Sequence, residues 1–222
     1  MRLALFLLLA TGATAGDWPQ WRGPERNNAA APGASPVTEW SEDKNVRWKA
    51  ELPGQGHSTP IIVGKQVFLT TSDPARGTQS LLAIDRENGR IQWQKRLNKG
   101  ALPKKIHPQN THASPSPAWD GERVLTLFLN AGQLQVTATS PAGEVIWSKY
   151  VGKFHSERGW GYGSSPALHG NLVIIASDFR PGGYLVALDT GTGEEMWRTP
   201  RRDEPGGDPS RKGENASWGT PV

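Results

Sequence analysis

The side chains of this sequence that could do chemistry gather in a few polar connections. Ile106-His-Pro-Gln-Asn-Thr-His112 carries two imidazoles, His107 and His112, on either side of Asn110 and just after Lys104 and Lys105. A pair of imidazoles in a proline-containing loop does not by itself make a metal site, and the simpler reading is of polar loop side chains bonded to backbone. The densest cluster runs from Phe154 to Tyr162, where His155, Glu157 and Arg158 precede Trp160 and Tyr162. Polar groups beside flat aromatic faces suit a sugar or another planar ligand; the competing reading has these aromatics packing on the rim of a sheet. His57 lies in an earlier connection, and Arg201, Arg202, Asp203, Asn215 and Trp218 in a later one. No catalytic role is assigned to any of these residues.

What positions these connections is a repeat. Ala83-Ile-Asp-Arg-Glu-Asn-Gly-Arg-Ile-Gln-Trp93 and Ala187-Leu-Asp-Thr-Gly-Thr-Gly-Glu-Glu-Met-Trp197 share an apolar run into Asp, a Gly turn and a closing Trp. Thr137 to Trp147 is a third copy, with Ser140 and Pro141 in its turn and a Thr in place of the Asp, and Val46-Arg-Trp48 keeps only the end of the pattern. Gly89, Gly143 and Gly193 stand where a tight hairpin needs positive φ, so each copy reads as two short strands and a turn. Trp48, Trp93, Trp147 and Trp197 recur at intervals of about 50 residues, the period of repeat architectures.

Each unit also begins alike. Thr59-Pro60, Ser116-Pro117 and Ser165-Pro166 each precede a short strand, a Gly turn and a second strand, and Thr220-Pro221 repeats that lead-in. Four strands per unit follow, near 60–63, 67–71, 80–85 and 91–97 in the first, with the corresponding runs in the second and third. Lys44 to Leu52 reads as one more strand, carrying Trp48. Consecutive β-β-β-β units with no helix between them imply radially arranged four-stranded antiparallel blades, a β-propeller. About three blades are expected here, in a parent of seven or eight, with the strand at Val46 to Leu52 completing the final blade. The scaffold between lead-in and Trp is constant in length while the connections vary, the division expected when loops carry specificity.

Asp85 to Trp93 and Asp189 to Trp197 resemble the tryptophan-docking repeat of quinoprotein-type propellers, and the PQQ-like repeat family is similar to the chain from Val46 to Val222. Asp17-Trp-Pro-Gln-Trp-Arg-Gly-Pro24, Glu39 to Trp48 and Ile106 to His112 look like one exported bacterial subgroup of that family. The resemblance implies a structural docking set of Trp48, Asp85, Gly89, Trp93, Gly143, Trp147, Asp189, Gly193 and Trp197. It places ligands over the central channel, on the loops holding His57, His107, His112, His155, Glu157, Arg158, Trp160, Tyr162, Asn215 and Trp218. Three functions are compatible with it. One is a non-catalytic exported propeller that binds a protein or carbohydrate partner. Another is an alcohol or sugar dehydrogenase using pyrroloquinoline quinone (PQQ) with calcium, although the alcohol-oxidising branch stacks its quinone against a disulfide of adjacent cysteines and this chain has no cysteine. The third is a scaffold like the BamB-type proteins of outer-membrane assembly, without their lipidated cysteine.

Composition narrows the setting. The 222 residues include 26 Gly, 18 Pro and 10 Trp, which suits a turn-rich all-β protein. Met1-Arg2, an apolar run from Leu3 to Ala10 and Ala13-Thr-Ala15 read as a secretory signal peptide cut after Ala15, so the mature protein is expected to be exported, periplasmic or secreted. No later run reaches the ~20 apolar residues of a spanning helix. A formal charge of +4 is too small to argue for nucleic acid. The expected divisions are the signal peptide over 1–15, an N-terminal segment over 16–44 and propeller repeats over 45–222. Trp18 and Trp21 are too apolar for a free tail and are expected to pack back onto the body, with Arg22 stacked on one of them.

Overall fold

The strands form where short β-branched and apolar runs meet glycine turns, and they pair with their immediate neighbours in sequence. A computed structural model describes residues 16–30, 32–34, 37–201 and 216–221. Residues 1–15, where a signal peptide is expected, and Arg202, Asp203 and Asn215 lie outside the described residues. The first sheet holds β1 (Ile61–Val63), β2 (Gln66–Asp73), β3 (Thr78–Asp85) and β4 (Ile91–Lys99). The second holds β5 (Ala118–Trp119), β6 (Val124–Asn130), β7 (Gln133–Thr139) and β8 (Val145–Lys153), and the third β9 (Ala167–His169), β10 (Leu172–Ser177), β11 (Tyr184–Asp189) and β12 (Glu195–Pro200). Each sheet is an antiparallel meander in chain order, and the described residues contain no helix. The protein is all-β, built of three four-stranded propeller blades.

Burial follows from the layering. The middle strands β2 and β3 are buried along almost their whole length, whereas β12 is exposed throughout. Leu127, Leu134, Val136, Val173, Ile175 and Val186 form one apolar cluster between the second and third sheets, and Ile61, Phe68, Leu81 and Ala83 with Val124 form a smaller one between the first and second.

The tryptophan hairpins are alike in detail. Trp93, Trp147 and Trp197 each face an alanine across the strand pair, Ala83, Ala138 and Ala187, and the register slips immediately after that alanine in all three. A bulge at a fixed place bends the outer strand and aims its Trp off the sheet. The ring then lands on the next hairpin's glycine. A Cβ on Gly89 would lie 2.5 Å from the Trp48 ring, one on Gly143 3.1 Å from Trp93 and one on Gly193 2.7 Å from Trp147. Each indole N–H donates into the same turn, Trp48 to the Arg86 carbonyl at 2.8 Å, Trp93 to Pro141 at 3.1 Å and Trp147 to Thr190 at 2.9 Å. Those glycines have φ of 73°, 88° and 70°, so any side chain there would strain the turn as well as collide with indole.

The acidic residue of the motif organises the turn. Asp85 Oδ1 accepts the N–H groups of Glu87 and Asn88, and Asp189 Oδ1 those of Gly191 and Thr192. The Thr192 N–H chiefly holds the Asp189 carboxyl below its ordinary range. In the second hairpin Ser140, not a threonine, occupies this place: its hydroxyl accepts the Glu144 N–H, and its own N–H pairs with the Glu144 carbonyl as Asp85 pairs with Arg90. The turn there is one residue shorter, which shifted the sequence alignment by one.

Two expectations about the N-terminal part change. Val46 to Leu52 is not a strand; the isolated bridges Ser41–Lys44 before it and Gln55–Ser72 after it are the nearest pairing. An extended segment needs a neighbouring strand to make a ladder, and no described strand lies beside this one, yet Trp48 still docks. Trp18 does pack back, through main-chain bonds in both directions with Ile62 on the free edge of β1. The Trp119 N–H of β5 donates to the Pro19 carbonyl, so residues 17–23 strap the first two sheets together at their innermost strands. Trp21 stays 39% exposed, and Arg22 sits in a turn at φ 65°. The cation–π pairs of the described residues are Arg158 on Trp160 and Arg198 on Tyr184, so the expected stacking of Arg22 on a strap tryptophan does not form.

Candidate functional site

The Ser/Thr-Pro lead-ins do more than start strands. The Thr59 N–H donates to the Ser116 hydroxyl at 2.8 Å, the Ser116 N–H to the Ser165 hydroxyl at 2.9 Å, and the Ser165 N–H to the Thr220 hydroxyl at 2.9 Å. Each lead-in N–H thus finds its acceptor in the hydroxyl of the following unit. This relay links four consecutive lead-ins along the inner strands and fixes the loops above them.

Three connections build on that relay. In the first, Asn110 gives its amide N–H to the Trp160 carbonyl at 2.6 Å, while its oxygen accepts the Thr111 N–H and the Ser114 hydroxyl. The second connection is thereby held against the first. His107 meets Trp160 edge-on at 5.4 Å, Arg158 lies over that ring at 5.1 Å, and Trp160 packs on Trp218 at 5.4 Å with a 31° tilt. Trp218, from the third connection, donates its indole N–H to the Gly161 carbonyl at 2.9 Å. Residues 216–221 are themselves tied down by Ser217, whose N–H and hydroxyl both donate to Asp178.

Between these loops and the N-terminal strap opens a cleft of about 670 Å³, lined by Trp21, Arg22 and Asn28 of the strap, His57, Asn110, Ser114, Ser116, Ser165, Trp218 and Thr220. That volume is in the range of small-ligand sites. Among the described residues no carboxylate lines it, and no three of His, Cys, Asp and Glu come together. The lining does not fit a calcium-bound quinone: it offers hydroxyls, amides and cations where a hard divalent ion wants several carboxylate or carbonyl oxygens.

The structure gathers some of the expected site residues and disperses others. His57 and Trp218 line the cleft, and His107, Arg158 and Trp160 form the aromatic stack at its rim. Tyr162 is turned away, 3% exposed, its hydroxyl donating to the Ala176 carbonyl at 2.7 Å and its ring against Phe154; burial pushes its phenol far above the ordinary range. Sequence alone could not separate it from Trp160 two residues earlier. His155 and Glu157 are exposed on the loop. His112 is half-buried, and desolvation lowers the pKa of its imidazole, while its carbonyl accepts the Gln79 amide at 2.7 Å. Asn215 is outside the described residues. The strap residues Arg22 and Asn28 and the hydroxyls of Ser116, Ser165 and Thr220 were not expected at the site, although the repeated Ser/Thr before Pro was a signal for the hydroxyls.

Comparison with known proteins agrees with this architecture. The profile of the family described as outer membrane protein assembly factor BamB matches residues 25–216. Among solved structures, the chain is similar to a europium-containing methanol dehydrogenase at 15% identity and a TM-score of 0.53, over 68% of this chain and 25% of that one. It is similar to the quinohemoprotein alcohol dehydrogenase of Comamonas testosteroni at 20% identity and a TM-score of 0.46, over 71% of this chain and 22% of that one. BamB from Moraxella catarrhalis gives 19% identity and a TM-score of 0.41, over 69% of this chain and 54% of that one. The chain thus spans about a quarter of the dehydrogenases and about half of that BamB. No curated protein sequence matches it.

Proposed function

Given that the chain belongs to the PQQ-like β-propeller family described as outer membrane protein assembly factor BamB, we propose that it is an exported, non-catalytic propeller scaffold that binds a partner on its axial face. The organisation follows the sequence: a leader over 1–15, a segment over 16–44 that supplies the strap, and repeats from 45 onward. Further blades of the same repeat complete the ring, a reading supported by Trp197, which is 39% exposed where its counterparts sit on glycine turns.

The observation that carries the binding reading is the convergence of the strap and three interblade connections on one cleft that, among the described residues, holds hydroxyls, amides, an imidazole and stacked indoles and no carboxylate. Such a surface suits recognition of a ligand by hydrogen bonds and aromatic faces. A protein partner is favoured by the family's own description, while a carbohydrate would use the same indoles.

Calorimetric titration of the full-length protein with PQQ, with and without calcium, followed by a dye-linked alcohol and sugar oxidation assay, tests this. Micromolar binding with turnover replaces the scaffold by a dehydrogenase. Lack of quinone binding, together with a photo-crosslink from position 163 to a defined envelope protein that Trp218→Ala abolishes, supports the scaffold. The absence of any such crosslink overturns it.

A further inference from the structure

We propose that the axial cleft receives an acidic peptide segment of a protein partner, its carboxylates seated against the lead-in hydroxyls and Arg22; this rests on the partner-binding reading above. The argument begins with hydrogen-bond capacity. Ser116, Ser165 and Thr220 each accept one backbone N–H through the hydroxyl oxygen. A hydroxyl that accepts still has a proton to donate, and among the described residues no acceptor takes that proton from any of the three. Ser116 is 2% exposed and Ser165 3%. Buried hydroxyls are ordinarily satisfied, and these two open on the same cleft as Thr220 and Arg22.

Two other polar side chains of the lining, Asn110 and Ser114, are bonded to one another and to their own loops, while His57 and Asn28 also border the cleft. Asn110, which also lines the cleft, has its amide and its oxygen committed to Trp160, Thr111 and Ser114. With three hydroxyl protons and the Arg22 guanidinium, and no carboxylate among the described lining residues, the cleft is mainly a donor surface of positive charge. Arg22 has no ion-pair partner among the described residues, and the strap that carries it is fixed by the Trp18–Ile62 pair and the Pro19–Trp119 bond. The connection at the rim, from Gly100 to Pro117, contributes Lys104, Lys105, His107 and His112 and no acid. A complementary ligand must be rich in acceptors and negative. Trp21 and Trp218 flank the cleft with apolar faces, which an extended chain meets with side chains on either side of a carboxylate.

The test uses the full-length protein and a fluorescein-labelled peptide of alternating Asp, Glu and Phe, with a control in which every Asp and Glu is replaced by Asn and Gln. Anisotropy is expected to give an acidic peptide bound about tenfold tighter than its amide control, with affinity falling as salt screens the pairing. Arg22→Gln is expected to lose about tenfold and Lys104→Gln/Lys105→Gln less, because the lysines are solvated rim charges. Ser165→Ala also removes the acceptor of the Ser116 N–H, so its folding is checked by circular dichroism and Ser165→Thr serves as the conservative rescue. Equal binding of the two peptides, or full affinity in Arg22→Gln, overturns the proposal. If an axial crosslink to a partner forms but neither peptide binds, the scaffold reading stands and the acidic segment falls. If PQQ binds with the Arg22 dependence and the peptides do not, the cleft is a small-carboxylate seat and both fall.

Discussion

The two seams between sheets carry the same repeated lock and different fillings. Across the first, Trp93 rests on Gly143 and a buried amide knot spans the gap. Gln79, fully buried, donates to the His112 and Leu129 carbonyls and accepts from Asn98 and Asn130, and Asn130 also donates to the Gly100 carbonyl. Across the second, Trp147 rests on Gly193 and the space is filled by Phe154, with Tyr162 at 4.9 Å and Phe179 at 6.0 Å, both edge-on. Arg198 adds a tie to the Val151 carbonyl over the Tyr184 ring. The lock is set by backbone geometry, which every unit shares, whereas the filling depends on what each connection brings. A propeller of this kind can therefore vary its loops and seams without losing register.

Removing the lock is expected to do the most damage. Trp147 is 9% exposed and both packs on Gly193 and donates to Thr190. Trp147→Ala should cost about 3 to 5 kcal/mol, the usual range for emptying a buried Trp site, read from urea denaturation. A loss below about 1 kcal/mol would mean that the indole is not what closes the second seam.

The fillings come next and differ in kind. Gln79→Ala strands two asparagine amides and two carbonyls in a dry interior. With roughly 1 to 3 kcal/mol for each group left unpaired and partial relaxation, a total loss of about 3 kcal/mol is expected. Tyr162→Phe in the other seam keeps the ring and leaves only the Ala176 carbonyl without its donor, for a loss of about 1 kcal/mol. If the two variants cost the same, the distinction between a polar and an apolar seam has no energetic content.

The same contrast explains what could be read from the sequence. The hairpins were legible because glycine, aspartate and tryptophan recur at fixed offsets, and all three sheets follow from them. The misplaced Thr for Ser140 came from one deleted residue in a turn, which spacing alone could not locate. Lys44 to Leu52 has strand-like composition, but strand formation depends on a neighbour, which composition does not reveal. At the cleft, Trp160 and Tyr162 are equivalent in sequence, and only packing against Phe154 decides that one faces out and the other in. The strap was expected to pack; where it packs, beside the lead-in hydroxyls, depends on main-chain bonds to Ile62 and Trp119 that no side chain announces.

The smallest expected effect is at the third lock. Trp197 has the same alanine opposite, the same bulge and the same hairpin as Trp93 and Trp147, yet it is 39% exposed, with Met196 and Leu185 also exposed beside it on the outer sheet. Local sequence has aimed the indole identically; what differs is that no glycine turn among the described residues lies beneath it. If the lock's energy resides in burial against the next turn, and not in the hairpin, Trp197→Ala in this chain should cost under about 1 kcal/mol, since little apolar surface returns to water. In a protein with a following blade, the same substitution should rise to the range expected for Trp147→Ala. Parallel urea titrations of the two variants in both backgrounds separate these cases. A large loss at Trp197 in the chain alone would assign the stabilisation to the hairpin itself.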